Sequence, residues 1–231
     1  MTTLVLLPGM DGTGDLYGAF RQTLGANHKL VVVTYPTDLA LAYDALENLA
    51  CSALPLDEDY VLIGESFSGP IAISIAASKP ARLKALILCA SFAHNPYPQL
   101  KIFKPVIPYL PVRAAPSAIL VHFLLGQFSS TSLSLQLADA LAKVSAKALK
   151  ARLTAVLSID VREKLSKICV PALYLRATKD RVVPASAFEC IRVGLPSINV
   201  IELDAPHFLL QVKPVEAVQS IFAFIRDKDK P

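Results

Sequence analysis

Val61-Leu62-Ile63-Gly64-Glu65-Ser66-Phe67-Ser68-Gly69 carries an apolar run straight into a cluster of small residues with a serine at its centre. Residues 60–64 read as a buried strand, and the apolar stretch that ends before Pro80 reads as a helix. So abrupt a passage from strand to helix strains the residue at the bend and lifts its side chain clear of the backbone. The neighbours must be small because strand and helix nearly touch there. A serine so placed is a candidate nucleophile. The start of the helix also brings the Phe67 N–H to where it can stabilise a developing oxyanion. The stretch departs from G-x-S-x-G in one respect: Ser68 stands where the second glycine is expected, and the next glycine is Gly69. Gly and Ser also occur in ordinary strand–helix turns, so this signal needs support from the rest of the chain.

Outward from this turn, short apolar strands alternate with helical patterns. Strands are expected at 3–7, 30–34, 60–64 and 84–90, with helices at 15–24 and 40–54 between them. Near-continuous apolar strands separated by helices indicate a parallel sheet covered on both faces. The rhythm stops near Phe92. Prolines at 96, 98, 105, 108, 111 and 116 predict broken helices and turns. Beyond them Leu137, Leu141, Val144 and Ala148 follow one long helical period. The strand–helix rhythm resumes at 171–176 and 198–203 and ends in an amphipathic helix at 214–226. The expected organisation is an α/β core formed by 1–91 and 167–231, with a helical cap inserted at 92–166.

Three further stretches carry chemistry. Leu4-Val5-Leu6-Leu7-Pro8-Gly9-Met10-Asp11-Gly12-Thr13-Gly14 puts a glycine-rich loop after the first strand, where the Met10 N–H could serve as a second oxyanion donor. It matches neither G-x-G-x-x-G nor a P-loop, and a purely structural turn is the plain alternative. Asp180 follows the strand at 171–176, and His207 follows the strand at 198–203. Taken singly, each reads as a turn former or a structural loop residue. Together with Ser66 they fall in the order serine, acid, histidine, each past the carboxyl end of a strand.

These residues together resemble the α/β-hydrolase superfamily. The resemblance spans the core on both sides of the insertion. It implies a mostly parallel sheet of about six strands, the first beside the third, with Ser66, Asp180 and His207 converging at its carboxyl edge as a catalytic triad. It implies a serine hydrolase that cleaves a carboxylic ester or thioester through an acyl-enzyme, with Met10 and Phe67 as oxyanion donors and no cofactor or metal. The Leu7–Gly14 and Gly64–Phe67 stretches are similar to a branch that contains esterases and plant-type acyltransferases. The cap length is similar to that of esterases acting on pimeloyl-carrier-protein methyl esters. An acyltransferase on the same triad and a non-catalytic ligand-binding homologue are the alternatives. Asp11, Phe92 and Phe208 are the candidate substrate contacts. Glu65 reads as a hydrogen-bonded structural carboxylate, and Asp160 as a helix cap at the junction of cap and core rather than a rival triad acid.

Composition narrows the setting. Hydrophobic residues make up 53% and charged residues 18%, which excludes a disordered chain. Mean hydropathy is +0.47, yet no uninterrupted apolar run reaches the roughly 18 residues of a membrane span. The best stretch, 114–128, follows Arg113 and contains Pro116 and His122. No signal peptide is read at the N-terminus. Cys51, Cys89, Cys169 and Cys190 form no C-x-x-C pair, and His28, His94, His122 and His207 have no metal-ligand spacing. Buried free thiols and a cytoplasmic location are expected, with no nucleic-acid partner. Residues 92–166 hold nine Lys and Arg against three acids, and Lys143, Lys147 and Lys150 recur at helical spacing. Such a cap is expected either to be plainly solvated or to attract acyl groups joined to a negative moiety, such as an acyl carrier protein or an anionic lipid.

Overall fold

The computed structural model describes residues 2–26, 28–114 and 116–228. Six strands, β1 (Thr3–Leu7), β2 (Leu30–Val32), β3 (Tyr60–Glu65), β4 (Leu83–Cys89), β5 (Ala172–Ala177) and β6 (Asn199–Leu203), form one sheet in the order β2-β1-β3-β4-β5-β6. Every pairing is parallel. The order reverses between β1 and β3, where a doubly wound sheet opens a crevice at its carboxyl edge.

Both faces are covered, which is why the central strands are apolar throughout. Val5, Leu7, Leu62, Leu86 and Leu88 point to one face. There they meet α2 (Tyr43–Ser52), α3 (Gly69–Ala77) and α8 (Ala185–Gly194) through residues such as Leu46, Ile71 and Ile191. Leu4, Leu6, Val61, Ile63 and Ile87 point to the other, against Phe20 of α1 (Gly18–Leu24), Leu209 of α9 (Leu209–Val212) and Ile221 of α10 (Pro214–Lys228). Strand alternation splits each run between two cores. β2 ends sooner than expected: after the Val33 N–H bonds to Leu6 O, the Tyr35 N–H turns away to Gly12 O at 2.8 Å.

Between β4 and β5 the chain makes its excursion. Residues Pro98–Tyr109 form 3-10 turns that accommodate Pro105 and Pro108. After them come α4 (Ser117–Leu124), α5 (Thr131–Ala142), α6 (Ala146–Val156) and α7 (Arg162–Leu165). The two ends of the excursion are clasped together. The Val161 N–H donates to Ala93 O at 2.8 Å, the Asn95 N–H to Ile159 O at 3.0 Å, and His94 bridges Asp160 in antiparallel fashion.

Two expectations need correction here. The single long helix is two, because the chain breaks between Ala142 and Ala146 and Ser145 caps the second helix by accepting from the Ala148 N–H. Lys143 therefore does not share a helical face with Lys147 and Lys150. Its ammonium pairs with Asp15, 2.7 Å away, while that of Lys150 donates to Pro108 O at 2.6 Å. Among the four free cysteines only Cys89 is buried; Cys51 and Cys169 are exposed because they lie on the outer side of α2 and in the loop before β5.

Candidate active site

Ser66 sits at the first turn after β3 with φ of 48°, in the left-handed region that a residue with a Cβ adopts only under constraint. The constraint is the closeness of strand and helix. A Cβ on Gly64 would lie 2.6 Å from that of Ala72, and one on Gly69 would lie 1.7 Å from Ser91 Oγ. Gly69 thus serves the close approach, and Ser68 has another use. Its buried hydroxyl donates to Pro8 O at the end of β1 and lies 2.8 Å from the Tyr35 hydroxyl. With its one proton given to Pro8, Ser68 accepts from Tyr35. The departure from G-x-S-x-G ties the serine turn to the glycine-rich loop.

The Ser66 hydroxyl lies 2.8 Å from His207 Nε2, and His207 Nδ1 lies 2.9 Å from Asp180 Oδ2. The other oxygen of Asp180 accepts from the Val182 and Val183 N–H groups at 2.7 and 2.9 Å. Those bonds fix the carboxylate in the turn after β5. His207 is 3% exposed, so the imidazole lies largely out of water. Three residues far apart in sequence therefore form one hydrogen-bonded chain across the carboxyl edge of the sheet. Asp160 belongs elsewhere: it pairs with Arg162 at 2.6 Å, and the Arg162 side chain holds its carboxyl below the usual range.

Met10 and Phe67 follow β1 and β3, whose ends lie side by side with Leu7 opposite Gly64. The Phe67 ring stacks on Tyr43 at 4.7 Å, and the Tyr43 hydroxyl donates to Phe67 O at 2.9 Å. The loop that carries Met10 is held by a group from the excursion. Arg152 of α6, only 2% exposed, donates from Nη1 to Met10 O at 2.8 Å and Asp11 O at 2.7 Å, and from Nη2 to Pro36 O at 2.9 Å. Burial lowers its pKa, while Asp11 opposes the shift. Gly12 is required beneath it, since a Cβ there would meet the guanidinium at 2.8 Å. The sequence did carry a sign of Arg152, which lies four residues after Ala148 on the apolar stripe, an unusual place for a charge.

The expected substrate contacts scatter. The Asp11 carboxylate turns to the Thr13 N–H and hydroxyl, at 2.9 and 2.5 Å. Phe92 is buried with Val183 and Ala187 where the excursion leaves the core. Phe208 is half-buried beside His207, with ring centroids 6.5 Å apart. Glu65 lies beneath the serine turn, bonded by the Tyr17 hydroxyl and by Gln211 Nε2 at 3.1 Å. Burial lifts its carboxyl to about 7, against the lowering effect of those hydrogen bonds and of His207. Among the described residues, no cluster of three or more His, Cys, Asp or Glu could hold a metal ion. No helix there is long and apolar enough to cross a membrane.

A model of the alpha/beta hydrolase family matches residues 4–219. The chain belongs to that family. No curated protein sequence matches it. Solved structures of this alpha/beta hydrolase's fold include a thermophilic esterase from Thermogutta terrifontis, with a TM-score of 0.84 and 18% identity over 100% of this chain and 91% of the other. An enol-lactonase from Burkholderia xenovorans LB400 gives 0.83 and 16%, covering 97% and 91%. A bromoperoxidase from Bacillus anthracis gives 0.81 and 19%, covering 98% and 92%. At these identities the likeness is one of fold, and the three names span different reactions. For this alpha/beta hydrolase the reaction is set by the side chains at the sheet edge.

Proposed function

We propose that this alpha/beta hydrolase is a serine esterase that cleaves carboxylic esters or thioesters through an acyl-enzyme. The observation that carries this reading is the unbroken chain from the Ser66 hydroxyl through His207 to Asp180. Ser66 Oγ attacks the substrate carbonyl carbon as His207 Nε2 takes its proton, and Asp180 holds the ring in the tautomer that leaves Nε2 free to accept. The negative oxygen of the tetrahedral intermediate faces the Met10 and Phe67 amides, each such donor contributing about 3 kcal/mol. Collapse breaks the bond to the leaving alcohol or thiol, which departs with the proton from His207. Water then attacks the acyl-enzyme, gives its proton to His207, and the acid is released as Ser66 recovers its own. The excursion between β4 and β5 acts as the cap over this edge.

The test is covalent labelling with a fluorophosphonate, located by mass spectrometry, together with turnover of short p-nitrophenyl esters. Label on Ser66, and its loss along with turnover in Ser66→Ala at an unchanged melting temperature, is the expected result. Near wild-type turnover by Ser66→Ala would remove the serine from the chemistry.

A further inference from the structure

Six of the nine cationic side chains in the excursion have partners within the molecule: Arg152 is buried, Lys143, Arg162 and Lys164 pair with Asp15, Asp160 and Glu47, and Arg113 and Lys150 donate to backbone carbonyls. What remains at its surface has a different character. In the Pro98–Tyr109 stretch only Ile107 is buried. Ile102 and Tyr109 are 75% and 84% exposed, and Phe103 and Val106 are exposed with them. The next element, α4, is mostly apolar yet has no buried residue, and it turns Ile119 and Phe123, one helical turn apart, to solvent. Single exposed apolar side chains are ordinary, but a continuous segment of them marks a surface that meets something apolar.

Charge narrows the partner. No Asp or Glu occurs between Glu65 and Asp139, and the exposed Lys101 and Lys104 flank Ile102 and Phe103. Aromatic and aliphatic side chains interleaved with lysines, and free of carboxylates, suit the boundary between headgroups and acyl chains, where both the apolar and the cationic groups find partners. Six exposed apolar or aromatic side chains (Ile102, Phe103, Val106, Tyr109, Ile119 and Phe123) accompany the two lysines, a balance that favours an apolar medium over a chiefly ionic contact with an acidic protein.

Position adds a third observation. The C-terminal turn of α4 is bonded to both loops that carry the candidate acid and base. Leu124 O accepts from the Phe208 N–H at 3.1 Å, and His122 O accepts from Arg181 Nη1 at 3.3 Å. The α4 part of this surface thus borders the Ser66 site.

We propose that this face, the Pro98–Tyr109 stretch together with α4, docks on an anionic lipid bilayer. Binding does not depend on the esterase reading, so it is tested on the full chain carrying Ser66→Ala as well as on the wild type. The assay is cosedimentation with vesicles of phosphatidylcholine and phosphatidylglycerol in equal parts, and with vesicles of phosphatidylcholine alone. Both proteins are expected to pellet with the mixed vesicles, less so as salt rises. Each lysine near an anionic surface contributes about fivefold in affinity, so Lys101→Gln/Lys104→Gln is expected to weaken binding roughly 25-fold. Ile102→Ser/Phe103→Ser is expected to abolish it at an unchanged melting temperature. Absence of binding to the mixed vesicles at low salt, or full binding by the lysine variant, would overturn the proposal. So would a wild-type dimer in light scattering that Ile102→Ser/Phe103→Ser converts to monomer, because a second copy would then cover the face. Salt-sensitive binding to acyl carrier protein with none to vesicles would give the surface to an acidic protein and overturn it equally.

Discussion

Replacing Arg152 with methionine keeps most of the side chain's bulk and removes every donor. The three carbonyls it serves, those of Met10, Asp11 and Pro36, lie 2.7–2.9 Å from its nitrogens. Hydrogen bonds to a charged group contribute about 1.5–3 kcal/mol each, but the arginine is itself costly to bury, and methionine is spared that cost. A net loss of about 3 kcal/mol follows, which in a chain of this size lowers Tm by roughly 6–12 °C. The functional loss has a separate origin. Arg152 holds the Met10–Asp11 and Asp11–Gly12 peptides through their carbonyls, and the Met10 N–H lies in the peptide just before them, so without the guanidinium it loses its anchor on the C-terminal side. Phe67 keeps its own support from Tyr43, so under the proposed mechanism one of the two oxyanion donors would be lost and one retained. Loss of one such donor lowers kcat by about 10²- to 10³-fold. Arg152→Met, assayed with a p-nitrophenyl ester well below its Tm, is therefore expected to lose kcat by about 10²-fold with little change in KM. Fluorophosphonate labelling should slow in parallel. Arg152→Lys, which keeps the charge but not the fork, is expected to fall between the two. A variant with lowered Tm and unchanged kcat would refute the link to Met10 and leave Arg152 as a structural tie alone.

Asp180→Asn is expected to fold normally and lose about 10⁴-fold in kcat through the wrong imidazole tautomer, while Asp160→Asn keeps full kcat; the reverse pattern in the same ester assay would redraw the triad. Glu65, with its carboxyl lifted to about 7, retains a proton that the unfolded chain releases near pH 4.3. Its contribution to stability is therefore full below about pH 4 and is lost progressively as pH rises to 7, about 4 kcal/mol in all. Glu65→Gln cannot ionise, so its Tm relative to wild type is expected to rise by several degrees between about pH 5 and pH 8. A constant difference across that range would mean that Glu65 is ionised throughout.

The sheet was legible because its central strands are buried on both sides. Runs such as Ala85-Leu86-Ile87-Leu88 have no other use in a chain of this kind, and the order Ser66, Asp180, His207 followed the strand ends. Ser68 was read as a weakened glycine because its partners, Pro8 O and Tyr35, are 60 and 33 residues away. The break between α5 and α6 was hidden by an apolar period that runs unbroken through Val144, even though Ser145 is a good capping residue. Lys143 and Lys150 looked like one stripe because pairing with Asp15 and with Pro108 O is a tertiary fact. Arg152 was counted with the surface charges, although its place on the apolar stripe marked it as different.

The clasp at the foot of the excursion has a consequence for design. Because Ala93 and Val161 meet across a hydrogen bond, the intervening chain leaves and re-enters the core at one point. Closing a longer or shorter segment over such a point changes the entropy of closure only logarithmically with length. Whole excursions of different length are therefore expected to be exchangeable at residues 93 and 161 with little effect on the sheet. The exchange has one requirement that length does not reveal: an incoming segment must bring its own cation to the carbonyls of Met10 and Asp11, or the graft will fold over a loop it cannot hold in place.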